Sequence, residues 1–216
     1  AMPNVIPYKS FCWSLGTTSF RTKDFNKTIE EQLLLLDEFW KLDENKDENW
    51  SGNKDLQTRY YDFMQSKDFV EGNAGNKPKD AREKTSGLVD IGLIDDGRKL
   101  SNAGKALLKI TSENDFSSDN QFQIAKDSYI YLKQLLKTYY NVDGHTVRPF
   151  MVLIHLLDEF DYLTLDEYTY LLPLCIGQVE TSEIIDGISQ LRSGSTSIDK
   201  IIINRLMDMP NYKMAL

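Results

Sequence analysis

The fold is decided by one stretch near the middle of the chain, KDAREKTSGLVDIGLIDDGRKLSNAGKALLKI, which covers residues 79–110. Its first third carries small and apolar residues at helical spacing, from Ala81 to Val89. That spacing predicts an amphipathic helix over residues 79–91, because residues three and four apart share one face of a helix. We expect the helix to end at Gly92, since glycine adopts the left-handed conformation that commonly closes a helix.

The rest of this stretch predicts a hairpin and a further helix. Short apolar pairs flank Asp95-Asp96-Gly97, which is a hairpin turn signal, and we expect them to form two short strands. Ser101 or Asn102 is then expected to cap the helix that follows, because their side chains can accept a hydrogen bond from its first turn.

Two helices are predicted upstream. One covers about residues 27–42 and is expected to begin with a capping box, because Thr28 and Glu31 have the required spacing. The other covers about residues 55–65. Helix, loop, helix, short hairpin and helix is the order of a winged helix-turn-helix, in which one helix enters the major groove of DNA and the hairpin lies along the phosphates.

Residues 111–120 form the predicted domain boundary, because they consist mostly of Ser, Asp and Asn with Phe116 as the single apolar side chain. We expect an amino-terminal arm and a winged-helix DNA-recognition subdomain over residues 1–112. A second helical, winged-helix-like subdomain is expected over residues 119–216. The predicted fold class is therefore mainly α with a small β-hairpin, in two winged helix-turn-helix-like subdomains.

The second subdomain is predicted to be helical throughout. Pro149 stands at a first-turn position, where the missing N–H of proline is tolerated. Thr164 and Glu167 have capping-box spacing ahead of another helix. The predicted helices cover about residues 121–140, 148–160, 168–175, 180–191 and 198–207.

The composition excludes several classes of protein. None of the 216 residues lies in an apolar stretch close to the roughly 20 residues that a membrane helix needs, and the chain start lacks the pattern of a signal peptide. Cys12 and Cys175 are too few and too far apart for a disulfide framework or a zinc site. We therefore expect a cytoplasmic protein without a membrane partner.

The net charge of −8 argues at first sight against a nucleic-acid partner, because phosphate contacts need lysine and arginine. The distribution of charge matters more than its total. Between Lys77 and Lys109 eight basic residues stand against five acidic ones, which leaves the rest of the chain with a charge of −11. One basic island in an acidic protein favours a polyanion bound on one face, and chance clustering on a solvated face is the alternative.

The 79–91 helix is expected to have a core face and a polar face, the polar face including Gly87, which would permit close approach to DNA. Arginine or lysine can pair with guanine and glutamate can accept from cytosine N4, whereas basic residues at a hairpin turn suit phosphates. A solvated charged face is the alternative interpretation. The predicted base contacts are Lys79, Arg82, Glu83 and Ser86, and the predicted phosphate contacts are Lys77, Arg98 and Lys99.

DAREKTSGL at residues 80–88 leads into GLID at 92–95, and LSNAGKALL follows at 100–108. Together these segments resemble the winged-helix segment in the recognition half of AlwI-type restriction endonucleases. These are type IIS enzymes, whose relatives include site-specific nicking enzymes. Further segments that resemble the family in the same order are Trp13–Arg21, Trp50-Ser51-Gly52 and Arg148–Cys175.

The resemblance implies an amino-terminal recognition part that binds double-stranded DNA, followed by a separate nuclease domain that holds Mg²⁺. This sequence ends near the end of the recognition part, so we expect the nuclease domain in the parent chain or in a separate subunit. For this chain itself we expect no catalytic residue, no bound metal and no cofactor, and recognition of a short asymmetric site by a monomer. The resemblance extends DNA contact, more weakly, to Ser14, Thr17, Thr18 and Arg21.

A search for the acidic-x-Lys motif of magnesium-dependent nucleases finds Glu44-Asn45-Lys46, in a segment too polar for a buried strand. Two other functions fit the same sequence. A stand-alone winged-helix transcription regulator would be a dimer on a palindromic site. An acidic helical protein-interaction module would show no salt-dependent DNA binding.

Overall fold

The computed structural model describes residues 12–13, 24–142 and 144–207. They form two compact units, an amino-terminal unit of residues 24–135 and a carboxy-terminal unit that joins residues 12–13 to residues from 136 onward. The predicted class is confirmed, because the described residues are mainly helical with one small antiparallel hairpin. Within this part of the chain, no helix has the length and apolar composition needed to cross a membrane.

The elements of the described residues follow in this order along the chain. The first helices are α1 (Phe25–Lys41), α2 (Lys54–Ser66), α3 (Lys77–Asp90), α4 (Asn102–Glu113) and α5 (Lys126–Lys137). After them come β1 (Tyr140–Val142), β2 (His145–Val147), α6 (Pro149–Phe160), a π-helical turn (Glu167–Leu171), a 3-10 turn (Leu172–Leu174), α7 (Gln178–Arg192) and α8 (Ile198–Met207).

The core of the amino-terminal unit lies where α1, α2 and α3 pack together. Leu33 and Leu36 on α1 are fully buried, as are Tyr60 on α2 and Leu88 on α3. Phe39 meets Tyr60 edge to face with ring centroids 5.0 Å apart, an arrangement that aromatic pairs favour. The core therefore fixes α3 against α2, and one face of α3 is left outside it.

The capping box predicted for α1 is wrong. The helix begins at Phe25, and the carbonyl oxygen of Asp24 accepts from the amide of Thr28 at 3.0 Å, so Thr28 already lies inside the helix. In α2 and α3 asparagine caps the first turn. Asn53 accepts from the amide of Leu56, and the corresponding residue before α3 is Asn76, which starts α3 two residues earlier than the sequence predicted.

The segment after α3 is a tighter turn than the predicted hairpin. The helix ends as expected, with Gly92 at a φ of +70°. The two predicted strands, however, are reduced to one bridge between Ile94 and Leu100. The reason is that the chain enters α4 at once: the amide of Ser101 donates to the carbonyl of Leu93 at 3.0 Å, and the Ser101 hydroxyl caps α4 as predicted.

The connection between the two units differs from the sequence-based expectation. Helix α5 is shorter than predicted and is followed by the β1–β2 hairpin, which the sequence analysis missed. Tyr131 on α5 is buried in the amino-terminal core, and Gln134 donates to the carbonyl oxygen of Ile91 at 2.9 Å. These contacts keep this part of α5 in the amino-terminal unit, and the division between the two units falls after residue 135. The domains proposed over residues 1–112 and 119–216 stay a prediction.

The carboxy-terminal unit has its own core. Its fully buried residues include Leu156 on α6, Leu171 in the π-helical turn and Ile188 on α7. The capping box predicted before the π-helical turn is confirmed, because Thr164 accepts from the amide of Glu167 and the Glu167 carboxylate accepts from the amide of Thr164 at 2.8 Å. The predicted starts and ends of α6, α7 and α8 hold to within a few residues.

Candidate nucleic-acid interface

Helix α3 presents a polar face to solvent. Ala81, Thr85 and Leu88 are fully buried, as the helical spacing predicted. On the opposite side Lys79 and Glu83 are exposed and form an ion pair at 3.6 Å one turn apart. The expectation that the polar face includes glycine is wrong, because Gly87 is buried. The available face therefore consists of Lys79, Glu83 and the half-buried Ser86.

Arg82 leans from α3 towards α2. Its Nη1 donates to the Oε1 atom of Gln57 at 2.6 Å, and Gln57 is only 2% exposed. The Nε2 atom of Gln57 donates in turn to the carbonyl oxygen of Trp50 at 2.9 Å. Since a buried amide bonded at both ends cannot rotate freely, this chain of bonds holds the Arg82 guanidinium in one orientation.

Arg98 closes the turn after α3 and is half-buried. Its Nε donates to the Thr85 hydroxyl and its Nη1 to the Asp96 carbonyl, both at 2.9 Å, and the guanidinium lies 5.6 Å from the ring centroid of Trp50. Burial lowers the pKa of Arg98, and the carboxylate of Asp96 is the strongest opposing influence. The positive charge of Arg82 lowers this pKa further.

The two arginines line one cleft of about 450 Å³. Its other walls are residues 49–52, Gln57, Asp96 and Gly97, and we call it the arginine cleft. The Trp50-Ser51-Gly52 turn thus meets the turn after α3 at a concave, cationic site. The side chains that build this site come from three separate parts of the sequence.

Comparison with known families decides the identity of the chain. A family model described as AlwI restriction endonuclease matches residues 89–215, which is more than half of the chain. The chain belongs to this family. Searches of curated proteins and of solved structures gave no match. Membership in the AlwI restriction endonuclease family implies sequence-specific interaction with DNA in a restriction system.

The AlwI family match covers only part of the interface. Arg98 and Lys99 lie inside the matched range, together with the whole turn after α3. The exposed face of α3 and Arg82 precede residue 89 and so lie outside it. The roles of the α3 residues therefore depend on the geometry of this chain.

Like Arg98, the other two predicted phosphate contacts have partners within the protein. Lys77 pairs with Asp62 at 2.6 Å, and its Nζ lies 5.7 Å from the ring centroid of Tyr61. The Nζ of Lys99 donates to the carbonyl oxygen of Lys46 at 3.3 Å. Both can still reach solvent, but DNA would have to compete with these contacts. The other predicted contacts, Ser14, Thr17, Thr18 and Arg21, lie outside the described residues.

The acidic and basic residues of the Glu44-Asn45-Lys46 motif lie at the surface of the amino-terminal unit. Glu44 and Lys46 are exposed in the turn after α1, and Lys46 pairs with Asp43 at 3.0 Å. The segment that contains this motif forms a turn and no strand. In the ranges that the structure describes, no group of three or more His, Cys, Asp or Glu side chains is placed to hold a metal ion.

The sequence analysis missed three contributors to the interface. Gln57 and Trp50 hold the two arginines, and Asp96 supplies the carboxylate beside them. The Trp50-Ser51-Gly52 motif was noticed as a resemblance, but its spacing from Arg82 and Arg98 carries no periodic signal. Only the packing of α2 against α3 brings these residues together.

Proposed function

We propose that this chain recognises a specific sequence in double-stranded DNA for a type IIS-like restriction endonuclease. The order of α1 to α4, with the turn after α3, is consistent with a winged-helix arrangement in which α3 enters the major groove. Membership in the AlwI family supports a role in a restriction system. The position of α3 between α2 and the following turn supports DNA recognition by this helix.

The observation that carries this proposal is the exposed polar face of α3 beside the turn that carries Arg98 and Lys99. Lys79 can donate to guanine O6 or N7, and Glu83 can accept from cytosine N4. Ser86 can do either with a neighbouring base. Because α3 packs against α2 on its other side, the helix has one face to present and a support behind it.

We further propose that cleavage is carried out by a nuclease domain with Mg²⁺, either elsewhere in the parent chain or in a separate subunit. A recognition surface on one helix of one protomer suits a short asymmetric site bound by a monomer. DNA and the nuclease domain are therefore two separate partners of this chain.

Selection of bound duplexes from random DNA, followed by fluorescence anisotropy with the selected site, tests the proposal. Glu83→Ala should relax the preference at one base pair, with a loss of about 1 to 3 kcal/mol for the cognate base. Glu113→Ala on α4 is the matched control, because it removes an exposed carboxylate of a neighbouring helix that takes no part in the proposed contacts.

Three outcomes count against the proposal. A palindromic site bound by a sedimenting dimer would favour a transcription regulator. Binding without salt dependence, or none at all, would favour a protein-interaction module. An unchanged base preference in Glu83→Ala would remove α3 from the reading surface.

A further inference from the structure

The arginine cleft holds two positive charges, and the carboxylates of Asp96, Asp90 and Asp95 act on Arg98 through space without forming an ion pair. Arg82 bonds to the neutral amide of Gln57, and the hydrogen bonds of Arg98 run to a hydroxyl and a carbonyl. Among the described residues neither guanidinium forms an ion pair within 4.0 Å. Two guanidinium groups that repel each other at one cleft are a favourable place for an anion, because an anion converts the repulsion into two attractions.

The far wall of the cleft leaves room for such a group. Gly52 has a φ of +73°, and a side chain there would meet no atom within 4 Å, so the backbone is open to the cleft. Trp50 is 3% exposed, and its indole Nε1 has no hydrogen-bond partner within the described ranges. A buried donor without a partner is uncommon in proteins, and Trp50 is one of the residues that line the same cleft.

We propose that the arginine cleft binds one phosphate of the DNA backbone, held between the guanidinium groups of Arg82 and Arg98. This inference rests on the proposed function and changes the role of one residue in it. Arg82, which the sequence analysis assigned to base reading, becomes a phosphate contact. Gln57 becomes the residue that positions it.

A phosphate fits the cleft better than a base does. The ring of Trp50 is covered by Arg98 and is therefore not available for a base to stack on. Arg82 is drawn by Gln57 to the flank of α3, beside α2, whereas Lys79 and Glu83 occupy the exposed face. A guanidinium fork matches the oxygens of a phosphate, and two such forks can share one phosphate group.

Anisotropy titrations over a range of salt concentrations test the assignment. Arg82→Ala should weaken binding about 10- to 100-fold on cognate and unrelated duplexes alike. It should also reduce the slope of log K against log salt by about one, as expected for the loss of one phosphate contact. Lys84→Ala, an exposed lysine of α3 outside the cleft, is the charge-matched control and should leave the slope nearly unchanged.

Asp96→Asn provides a test of opposite sign. Its carboxylate lines the cleft and competes with a bound phosphate for the same charges, so its neutralisation should tighten DNA binding and leave folding intact. Thermal melting of each variant separates a loss of binding from a loss of fold. A duplex with one neutral methylphosphonate at the contacted linkage should bind wild-type protein and Arg82→Ala equally well.

Two results would overturn the inference while leaving the proposed function standing. In one, Arg82→Ala loses affinity only through one base pair, which would return Arg82 to base reading. In the other, both Arg82→Ala and Asp96→Asn bind every duplex as wild type does. If the wild-type chain shows no salt-dependent DNA binding at all, the proposed function itself is rejected.

Discussion

Arg98 in the amino-terminal unit and Arg192 in the carboxy-terminal unit both lie over aromatic rings, yet their partners differ. Arg192 donates through Nε and Nη2 to both carboxylate oxygens of Glu167, at 2.9 and 2.8 Å. Its guanidinium lies 4.3 Å from the ring centroid of Tyr162. Arg98 instead donates to a hydroxyl and to a carbonyl oxygen. The hydrogen bond to Glu167 raises the pKa of Arg192, whereas burial lowers that of Arg98.

The difference separates a structural arginine from one with donors to spare. The carboxylate of Glu167 is nearly fully buried, so the protein itself supplies the counter-charge that Arg192 needs. The half-buried Arg98 differs, because the carboxylates near it in the described part of the chain act on its charge only through space and form no hydrogen bond with its guanidinium. Removing an arginine that is paired with a buried carboxylate destabilises the fold, because it leaves that carboxylate without its counter-charge. An arginine without such a pair has donors that a ligand can use.

The turn that carries Arg98 must be held rigidly if Arg98 is to keep its position. Gly104→Ala tests this and should cause the largest loss of stability among the proposed changes. A Cβ atom at position 104 would overlap the carbonyl oxygen of Leu93, which also accepts from Ser101. We expect a loss of about 3 kcal/mol in the free energy of unfolding, because backbone atoms cannot move aside as a side chain can. Chemical denaturation measures it.

Ala106→Gly is the matched control for this change. It makes the reverse exchange two residues later on the exposed side of α4 and should cost about 1 kcal/mol through helix propensity alone. A Gly104→Ala variant as stable as wild type would mean that the turn is loosely held and that the position of Arg98 has no firm support.

Arg192→Ala should have the next largest effect, and on stability alone. It leaves the buried carboxylate of Glu167 without its cation, and we expect a loss of about 2 to 3 kcal/mol, below the range for a fully buried pair because Arg192 is 25% exposed. Denaturation measures the loss. DNA affinity of the remaining folded protein should stay unchanged, and a marked loss of affinity would contradict the division of roles between the two arginines.

Arg98→Ala should show the opposite pattern, with a smaller loss of stability and a larger loss of binding. Thr85 keeps its hydrogen bond to the carbonyl oxygen of Ala81 at 2.8 Å, so no buried polar group is stranded. We expect about 1 kcal/mol from the lost hydrogen bonds. Denaturation and anisotropy on the same preparation give both numbers, and Arg98→Lys separates charge from the geometry of the fork.

Most of the helices could be predicted because their signals are local. Pro149 and the capping box of Thr164 and Glu167 act within one turn, and helical periodicity identifies a buried face without knowledge of its partner. The start of α1 was placed too late because a Thr and a Glu three residues apart also occur inside helices. The β1–β2 hairpin was missed because strands of three residues around Gly144 are too short to show an alternating pattern.

The candidate site divides in the same way. The polar face of α3 follows from helix geometry, so Lys79 and Glu83 could be assigned to it from the sequence. The arginine cleft could not, because Gln57 precedes Arg82 by 25 residues and meets it only when α2 packs on α3. Burial of Gly87 could not be foreseen either, since it depends on how closely the neighbouring segments approach.

The smallest expected effect is a pH dependence of stability that arises from the pair of Glu167 and Arg192 in the carboxy-terminal unit. The hydrogen bond from Arg192 lowers the pKa of Glu167 in the folded protein. A carboxyl with a lowered pKa stabilises the fold at pH values above its ordinary pKa of about 4.3, and that contribution is lost as the pH falls through the folded value. The thermal midpoint of wild type should therefore fall faster on acidification from about pH 6 than that of Glu167→Gln, so the gap between them narrows. Glu159→Gln, which removes an exposed carboxylate from α6, should keep a constant offset. If the gap instead stays constant, Glu167 is not charged against Arg192, and the contrast with Arg98 rests on hydrogen-bond geometry alone.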